Sequence, residues 1–180
     1  MERTLVIIKP DGVANGLVGR VVSRLEQAGL RIVQLKLTRA TKAQILDHYA
    51  EDPEWLENAG ARAVERLQAN GIDWRELTGC ENAPDVGRLI RMRLVDYMCS
   101  GPIVVLQAAG PAAVRKTRQI IGATLPSQAD PGSLRGGHCS DDVILSFQEK
   151  RALENIVHAS GEVSEALREI EIWCAGTPSP

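Results

Sequence analysis

Thr4-Leu5-Val6-Ile7-Ile8-Lys9, followed at once by Pro10-Asp11-Gly12, is the stretch that decides the fold of this chain. The run is apolar at consecutive positions rather than alternate ones, which predicts a strand buried on both faces. Proline lacks a backbone N–H donor and glycine favours turns, so we expect residues 10–12 to stop the strand.

The residues after this strand alternate between helical and extended patterns. Apolar side chains alternate with polar ones from 32 to 37 and run together at 103–106, which predicts two further strands. Another short strand is predicted after Asn155. Helices are predicted from Leu17 to a close at Gly29, from Thr41 to about Tyr49, over most of 54–98 with a break at Asn70-Gly71, from about Pro111 to Ile121, just before Asn155, and from about Glu162 to Ile172. Residues 122–141 are predicted to form a long loop and residues 177–180 a frayed tail.

The order of these elements fits an α+β fold of the ferredoxin-like kind, a split β-α-β sandwich in which helices cover one antiparallel sheet. The chain has 180 residues, of which 44% are hydrophobic and 24% charged. Such a length and composition are ordinary for one globular domain. We therefore predict a single domain over residues 1–180.

Charge and cysteine content limit the possible partners and compartments. The formal net charge of −2 gives no basic field for nucleic acid or membrane binding. The chain shows no apolar run long enough to span a bilayer and no secretion signal, and its four cysteines are scattered. We expect a cytoplasmic protein with reduced thiols.

The candidate for chemistry is Asn155-Ile156-Val157-His158-Ala159-Ser160, with Glu169 one helix later. A histidine beside an apolar run is more often a packed structural residue, but a neutral histidine can also act as a nucleophile. The second interpretation gains weight from polar residues elsewhere in the chain: Lys9, Arg118, Thr124 and Arg135.

Seven short motifs resemble the nucleoside diphosphate kinases, which move a terminal phosphate from a nucleoside triphosphate to a diphosphate, and they occur in that family's order. They are Glu2-Arg3-Thr4 through Lys9-Pro10-Asp11-Gly12, Gly16-Leu17-Val18-Gly19, His48-Tyr49, Ser100-Gly101-Pro102, Gly122-Ala123-Thr124, Pro131 to Gly136, and Asn155-Ile156-Val157-His158. Together they cover nearly the whole chain apart from one insert.

The resemblance implies a catalytic role for three residues. His158 corresponds to the family's nucleophile, which accepts the γ-phosphoryl group and passes it on with ping-pong kinetics. Glu169 resembles the acceptor that fixes the tautomer of that histidine. Tyr49 resembles the hydroxyl that lies beside the histidine and the transferring phosphate. The expected activity is that of an enzyme that maintains nucleoside triphosphate pools.

The resemblance also implies how the nucleotide is bound. Arg118 and Arg135 are expected to grip β- and γ-phosphate oxygens, and Thr124 to add a hydroxyl donor. Lys9 and Asn155 resemble the pair that meets the sugar 3′-hydroxyl and the phosphates. The cofactor is expected to be Mg²⁺, held mainly by the phosphates and water rather than by protein ligands. The base is expected to be bound by stacking, with broad base specificity.

The chain departs from the family pattern in four places. A helical insert, about 57–93, lengthens the segment before Ser100, and the base-stacking residue near it is assigned to Trp55, with Leu56 as the alternative. Gly137 and Gly161 stand where acidic residues are usual. The chain also stops soon after Trp173, short of a longer tail that contributes to subunit contacts in many members of the family. A homo-oligomer is still expected, but a dimer, a tetramer and a hexamer all stay open.

Two other functions compete with the kinase. One is a nucleotide-binding regulatory protein that turns over poorly; the other is a protein-phosphorylating member of the same fold that uses the insert for docking. An exposed apolar patch on the insert would favour docking, and a charged, solvated surface would not. His48 and His138 are assigned packing roles.

Overall fold

In the computed structural model, which describes residues 1–174, four strands form one antiparallel sheet in the order β2-β3-β1-β4. Their bounds are β1 Glu2–Ile8, β2 Arg31–Arg39, β3 Pro102–Gly110 and β4 Val157–Ala159. Strand β1 is central: Ile7 lies opposite Val105 of β3 on one side and opposite His158 of β4 on the other. The predicted ferredoxin-like α+β fold is confirmed. The prediction for residues 177–180 lies outside the described residues.

Helices account for most of the other described residues, and none of these helices is both long and apolar enough to cross a membrane. They are α1 Pro10–Ala14, α2 Val18–Gln27, α3 Lys42–His48, α4 Pro53–Ala69, α5 Trp74–Thr78, α6 Ala83–Cys99, α7 Ala113–Ile121, α8 Leu134–His138, α9 Val143–Gln148 and α10 Val163–Cys174.

Helices cover both faces of the sheet because β1 is apolar on both. Val6 and Ile8 pack with α2 and α7, whereas Leu5 and Ile7, which point the other way, pack with Trp173 of α10 and with α3 and α6. All four β1 side chains are fully buried. The strand therefore carries the residues that follow it into the interior.

Residues 10–12 stop strand β1 as predicted, and they also open helix α1, with proline at its start. One sequence prediction was wrong in detail, because one turn of helix is too short to show periodicity. Residues 122–141 are not a continuous loop, since they include a 3₁₀ turn at Pro126–Gln128 and helix α8. Helix α8 begins at Ser133, whose hydroxyl accepts the Gly136 N–H at 3.1 Å.

Helices α4 and α6 form an antiparallel pair whose first contacts lie away from the sheet, against α9, while the end of α6 at Val95 and Met98 packs on the sheet. A third apolar cluster joins Ala63 and Leu67 of α4, Trp74 of α5 and Val86 of α6 to Phe147 of α9. The backbones of α4 and α6 touch where both lack side chains. A Cβ added at Gly60 would lie 1.8 Å from the Ala83 carbonyl oxygen, and one at Gly87 would lie 2.1 Å from that of Leu56.

Replacing Gly60 by alanine should therefore force α4 away from α6. We expect Gly60→Ala to lower the free energy of unfolding by about 1–3 kcal/mol, measured by chemical denaturation, since overpacking costs this much where backbone cannot move. The control is Gly19→Ala in α2, where an added Cβ meets nothing within 4 Å and should be neutral or slightly stabilising. Equal stability of the two variants would contradict the close helix contact.

Candidate functional site

One cavity of about 930 Å³ lies between α3, α4 and α6 on one side and β4, α8 and α10 on the other. The structure brings together in its wall all nine residues singled out from the sequence: Lys9, Tyr49, Trp55, Arg118, Thr124, Arg135, Asn155, His158 and Glu169. They come from segments spread over most of the chain. The sheet brings two of these segments together, since Lys9 directly follows β1 and His158 lies in the neighbouring strand β4.

The centre of this cavity is a hydrogen-bonded row of three side chains. His158 Nε2 lies 2.9 Å from Glu169 Oε1, and the Ser160 hydroxyl donates to Glu169 Oε2 at 2.6 Å. A carboxylate oxygen accepts, so Nε2 carries the ring proton and Nδ1 keeps its lone pair. The side chain of Glu169 is only 1% exposed. The ring of His158 is thus held by one nitrogen, and the other nitrogen, Nδ1, keeps a free lone pair.

His48, which the sequence analysis assigned a packing role, packs against this centre. Its ring centroid is 4.5 Å from that of His158, and its Nδ1 accepts the indole N–H of Trp173 at 3.2 Å. The same Nδ1 lies 3.4 Å from Glu169 Oε1. Two acceptors at that distance do not bond, so Trp173 holds His48 as a neutral ring that packs against His158.

Burial keeps both histidines uncharged. Desolvation, with the Lys9 ammonium as the next cause, holds the pKa of His158 well below its usual value. Desolvation followed by His158 itself lowers the pKa of His48 to about 3. Burial raises the pKa of Glu169, and its bond from Ser160 opposes that rise. Nδ1 of His158 is therefore unprotonated at neutral pH.

Lys9 and Asn155 form a second bonded row on the floor of the cavity. Lys9 Nζ donates to Asn155 Oδ1 at 2.7 Å, and Asn155 Nδ2 donates to the Thr124 carbonyl at 2.9 Å. Desolvation, with Arg135 as the next cause, lowers the pKa of Lys9 to about 7. The Lys9 charge is thus poised to respond to an anion placed beside it.

The backbone around this row is held by α1. Asp11 Oδ2 accepts the Ile156 N–H at 2.9 Å, and the Lys9 N–H donates to the Ile156 carbonyl at 2.8 Å. Gly12 is required here, because a Cβ would lie 2.5 Å from that carbonyl oxygen. Tyr97 also donates to Asp11. The Pro10-Asp11-Gly12 motif therefore positions the segment that leads into β4.

The two predicted phosphate-binding arginines are placed differently. Arg135 is 3% exposed, and its guanidinium donates to the carbonyls of Asn155 (3.2 Å), Gly122 (3.0 Å) and Val157 (2.6 Å). Burial lowers its pKa to about 10. Arg118 is exposed in the last turn of α7. Arg135 is thus a fixed charge in the wall of the cavity. Arg118 makes no hydrogen bond or ion pair to the residues that the structure describes.

Tyr49 and Trp55 line the side of the cavity formed by α3 and α4. The Tyr49 ring centroid is 6.3 Å from that of His158 and 6.4 Å from that of Trp55. Burial raises the pKa of Tyr49, so its hydroxyl stays protonated and can donate. Leu56, the alternative stacking residue, is 3% exposed and does not line the cavity.

The comparisons with known proteins point to one family. A family model described as nucleoside diphosphate kinase matches residues 2–55 and 86–177. A nucleoside diphosphate kinase of Pyrobaculum aerophilum is 46% identical over 173 residues, which are 96% of this chain and 94% of that protein. A crystal structure of an NDP kinase from the same organism has a TM-score of 0.92 at 44% identity, with 96% of this chain and 94% of that one covered.

A more distant solved structure carries ligands. It is a transition state mimic of the nucleoside-diphosphate kinase of Borrelia burgdorferi with bound vanadate and ADP, and it has a TM-score of 0.77 at 27% identity. It covers 99% of this chain, and the match spans 90% of that chain.

The influence of Lys9 on His158 can be tested directly. In Lys9→Met we expect the pKa of His158 to rise by about one pH unit, because a nearby positive charge that disfavours imidazolium has been removed. Histidine resonances followed by NMR over pH measure this shift. Lys42→Met, which removes an exposed lysine paired with Asp96, is the control. An unchanged His158 titration in Lys9→Met would contradict the assignment.

Proposed function

The chain belongs to the nucleoside diphosphate kinase family, and from this premise we propose that His158 carries the phosphoryl group that such an enzyme moves from a nucleoside triphosphate to a diphosphate. The observation that supports this role is the tautomer of His158: Glu169 occupies Nε2 at 2.9 Å, which leaves Nδ1 as the nitrogen available to a ligand. The net effect of the reaction is to maintain the pools of nucleoside triphosphates.

The proposed transfer has two steps. The Nδ1 lone pair of His158 attacks the γ-phosphorus, the bond from that phosphorus to the β–γ bridging oxygen breaks, and the nucleoside diphosphate leaves. A terminal oxygen of a second diphosphate then attacks the phosphorus, and the N–P bond breaks. Nε2 keeps its proton throughout and donates it to Glu169 in a hydrogen bond, so the carboxylate stabilises the positive charge that the imidazole gains on phosphorylation.

Charge neutralisation on the phosphate oxygens is the larger part of catalysis in phosphoryl transfer. In our proposal Arg135, already fixed by three carbonyls, offers its remaining donors to the phosphates, and Arg118 closes on them from the surface. The Thr124 hydroxyl adds a neutral donor. Lys9, with a pKa lowered to about 7, becomes fully charged as a phosphate approaches, because an anion restores the pKa that burial lowers.

The remaining three assignments concern the sugar, the reacting phosphate and the base. We propose that Asn155, held by Lys9 and Thr124, presents its amide to the ribose, and that the Tyr49 hydroxyl donates to the transferring group beside His158. Trp55 supplies an aromatic face on the same side of the cavity, where a base can stack.

Kinases of this family use a divalent cation, and we propose Mg²⁺ for this chain. His48, His158 and Glu169 are close enough together to hold an ion, but two of the three ligands would be nitrogens, and these groups already form hydrogen bonds, His158 with Glu169 and His48 with Trp173. Mg²⁺ prefers oxygen ligands, so this trio does not suit it. The cavity instead fits an ion held by phosphates and water. When bound there, Mg²⁺ neutralises part of the charge on the phosphate oxygens.

A docking role for the insert has less support. Within residues 57–93, Met92 is the one large apolar side chain that is well exposed. Such a surface lacks the apolar patch that a docking site needs.

The regulatory alternative is also weaker, because the residues that we propose transfer phosphate all line one cavity. We further propose a cytoplasmic location, in keeping with four cysteines that are all free thiols.

The phosphoenzyme is the direct test of this proposal. After incubation with γ-labelled ATP and Mg²⁺, we expect alkali-stable, acid-labile label on the wild type and none on His158→Asn. His138→Asn, which changes an exposed histidine outside the cavity, should be labelled normally. Glu169→Gln should label about 10–100-fold more slowly, since it keeps the shape but weakens the orientation of His158.

A chase with nucleoside diphosphates completes the test. Label that leaves the wild type as nucleoside triphosphate supports the kinase. Nucleotide binding without label would contradict it in favour of the regulatory protein, and label that no nucleotide removes would point to a protein acceptor.

We also propose that the chain is a homo-oligomer that uses strand β2. This strand is an edge of the sheet, and its Leu35 and Leu37 are 46% and 65% exposed. A bare edge with exposed leucines favours pairing with a second copy.

Light scattering after gel filtration should therefore give a multiple of 19.5 kDa for the wild type. A Leu35→Lys, Leu37→Lys double variant should give a smaller assembly, because two charges at the edge oppose pairing. Leu167→Lys, equally exposed on α10, should leave the mass unchanged. A monomeric wild type would rule the proposal out.

A further inference from the structure

The cavity that holds His158 extends into a region formed by one face of each of α4, α6 and α9. We call this region the outer chamber; it is lined by Ala59, Arg62, Ile90, Arg93, Ser146 and Phe147. The lining positions on each helix recur every three or four residues, which is the spacing of a single helical face. The outer chamber is therefore a built extension of the cavity and not a gap between loops.

Two arginines, Arg62 and Arg93, dominate the polar lining of the outer chamber, and both have hydrogen-bond donors without an acceptor among the described residues. Arg62 is exposed and makes no hydrogen bond or ion pair within residues 1–174. The Arg93 guanidinium lies 5.0 Å over the Phe147 ring, and its Nη1 is enclosed without a hydrogen-bond partner in the described chain. A buried donor without a partner is costly, so Arg93 gains when an acceptor enters the chamber.

The other polar group of the outer chamber is already satisfied. The Ser146 hydroxyl donates to the Val143 carbonyl at 2.8 Å within its own helix. No carboxylate of the described residues lines this part of the cavity. The chamber thus offers hydrogen-bond donors and lacks charged acceptors.

The outer chamber lies at the base end of the proposed nucleotide site. The cations for the phosphates, Lys9, Arg118 and Arg135, line the other end of the cavity with His158. On α4, Arg62 follows Trp55 by two turns, which places it about 10 Å further along the helix axis. An arginine side chain spans most of that distance, so the Arg62 guanidinium can reach the edge of a base stacked at Trp55, and Arg93 lines the same chamber from α6.

We infer that Arg62 and Arg93 recognise the edge of the nucleobase and favour bases that carry a carbonyl oxygen there over bases that carry an amino group. This inference rests on the proposed function. Guanine presents two acceptors, O6 and N7, where adenine presents the N6 amino donor beside N7, and arginine binds the guanine pair with both of its donors. Uracil and cytosine differ in the same sense at position 4. The chain would then be selective, in contrast to the broad specificity expected from stacking alone.

Two matched pairs of substrates separate edge recognition from stacking. Phosphoenzyme is prepared, and its discharge is measured as kcat/KM with GDP against ADP and with UDP against CDP. Each pair keeps the ring size and exchanges a carbonyl oxygen for an amino group, at position 6 of the purines and position 4 of the pyrimidines. We expect GDP to be favoured over ADP about tenfold, within the range of one bidentate arginine contact, and UDP over CDP by a smaller factor, because uracil offers the single acceptor O4. A preference that follows ring size instead would overturn the inference.

The arginines are tested by Arg62→Met and Arg93→Met, which keep an apolar stem of similar length. Each should reduce the preference, and the double variant should bring both ratios to within about twofold, mainly by slower discharge with GDP and UDP. Arg88→Met is the control, because Arg88 lies on α6 outside the cavity in surface pairs with Asp85 and Glu51. It should keep the wild-type ratios.

Failure of this inference can be told apart from failure of the proposed function. Label that forms on His158 and is discharged equally by all four diphosphates would overturn base selection and leave the kinase in place. Unchanged ratios in the double variant would do the same. If Arg93→Met does not fold, the exposed Arg62→Met still decides, with its thermal midpoint as the check on folding.

Discussion

The short pairing of β4 with β1 is the contact on which the rest of the site depends. Only three residue pairs join the two strands, and the middle one sets His158 opposite Ile7. Because β1 is buried on both faces and paired on both edges, it cannot shift, and β4 takes its position from it. The residues at the end of β1, Lys9 and Asp11, then bond to the segment just before β4. His158 is held in place on so short a strand because the strand that it pairs with is itself fixed on both edges.

Burial sets the chemistry of this site more than any single ion pair does. Desolvation is the first cause of the altered pKa of His158, His48, Lys9 and Arg135, and each loses part of its affinity for a proton. The cavity therefore collects groups whose positive charge is costly until an anion arrives. Such a site favours phosphate over water without needing a high net charge on the protein, whose formal charge is −2.

The sequence was sufficient for features that depend on periodicity or on residue type. The consecutive apolar residues of β1 predicted a strand covered on both sides, and the order of elements predicted the sheet. It was insufficient where the outcome depends on distance. One-turn helices such as α8 leave no periodic signal, and nothing local shows that Arg135 is fixed by three carbonyls. The packing role assigned to His48 holds, but its neighbour His158 is 110 positions away in the chain, so the sequence did not show what it packs against. The use of α9 as a wall of the cavity likewise follows only from tertiary contacts.

The close contact of Gly60 and Gly87 also fixes how the unmatched residues are attached to the domain. The family match stops at residue 55 and resumes at 86, and there the two ends of the unmatched segment lie side by side, since a Cβ on Gly87 would meet the Leu56 carbonyl. The cost in conformational entropy of closing a loop grows with the separation that the loop must span, so a segment whose ends already meet adds little to the cost of ordering the domain around it. The length of this segment is therefore independent of the geometry at His158.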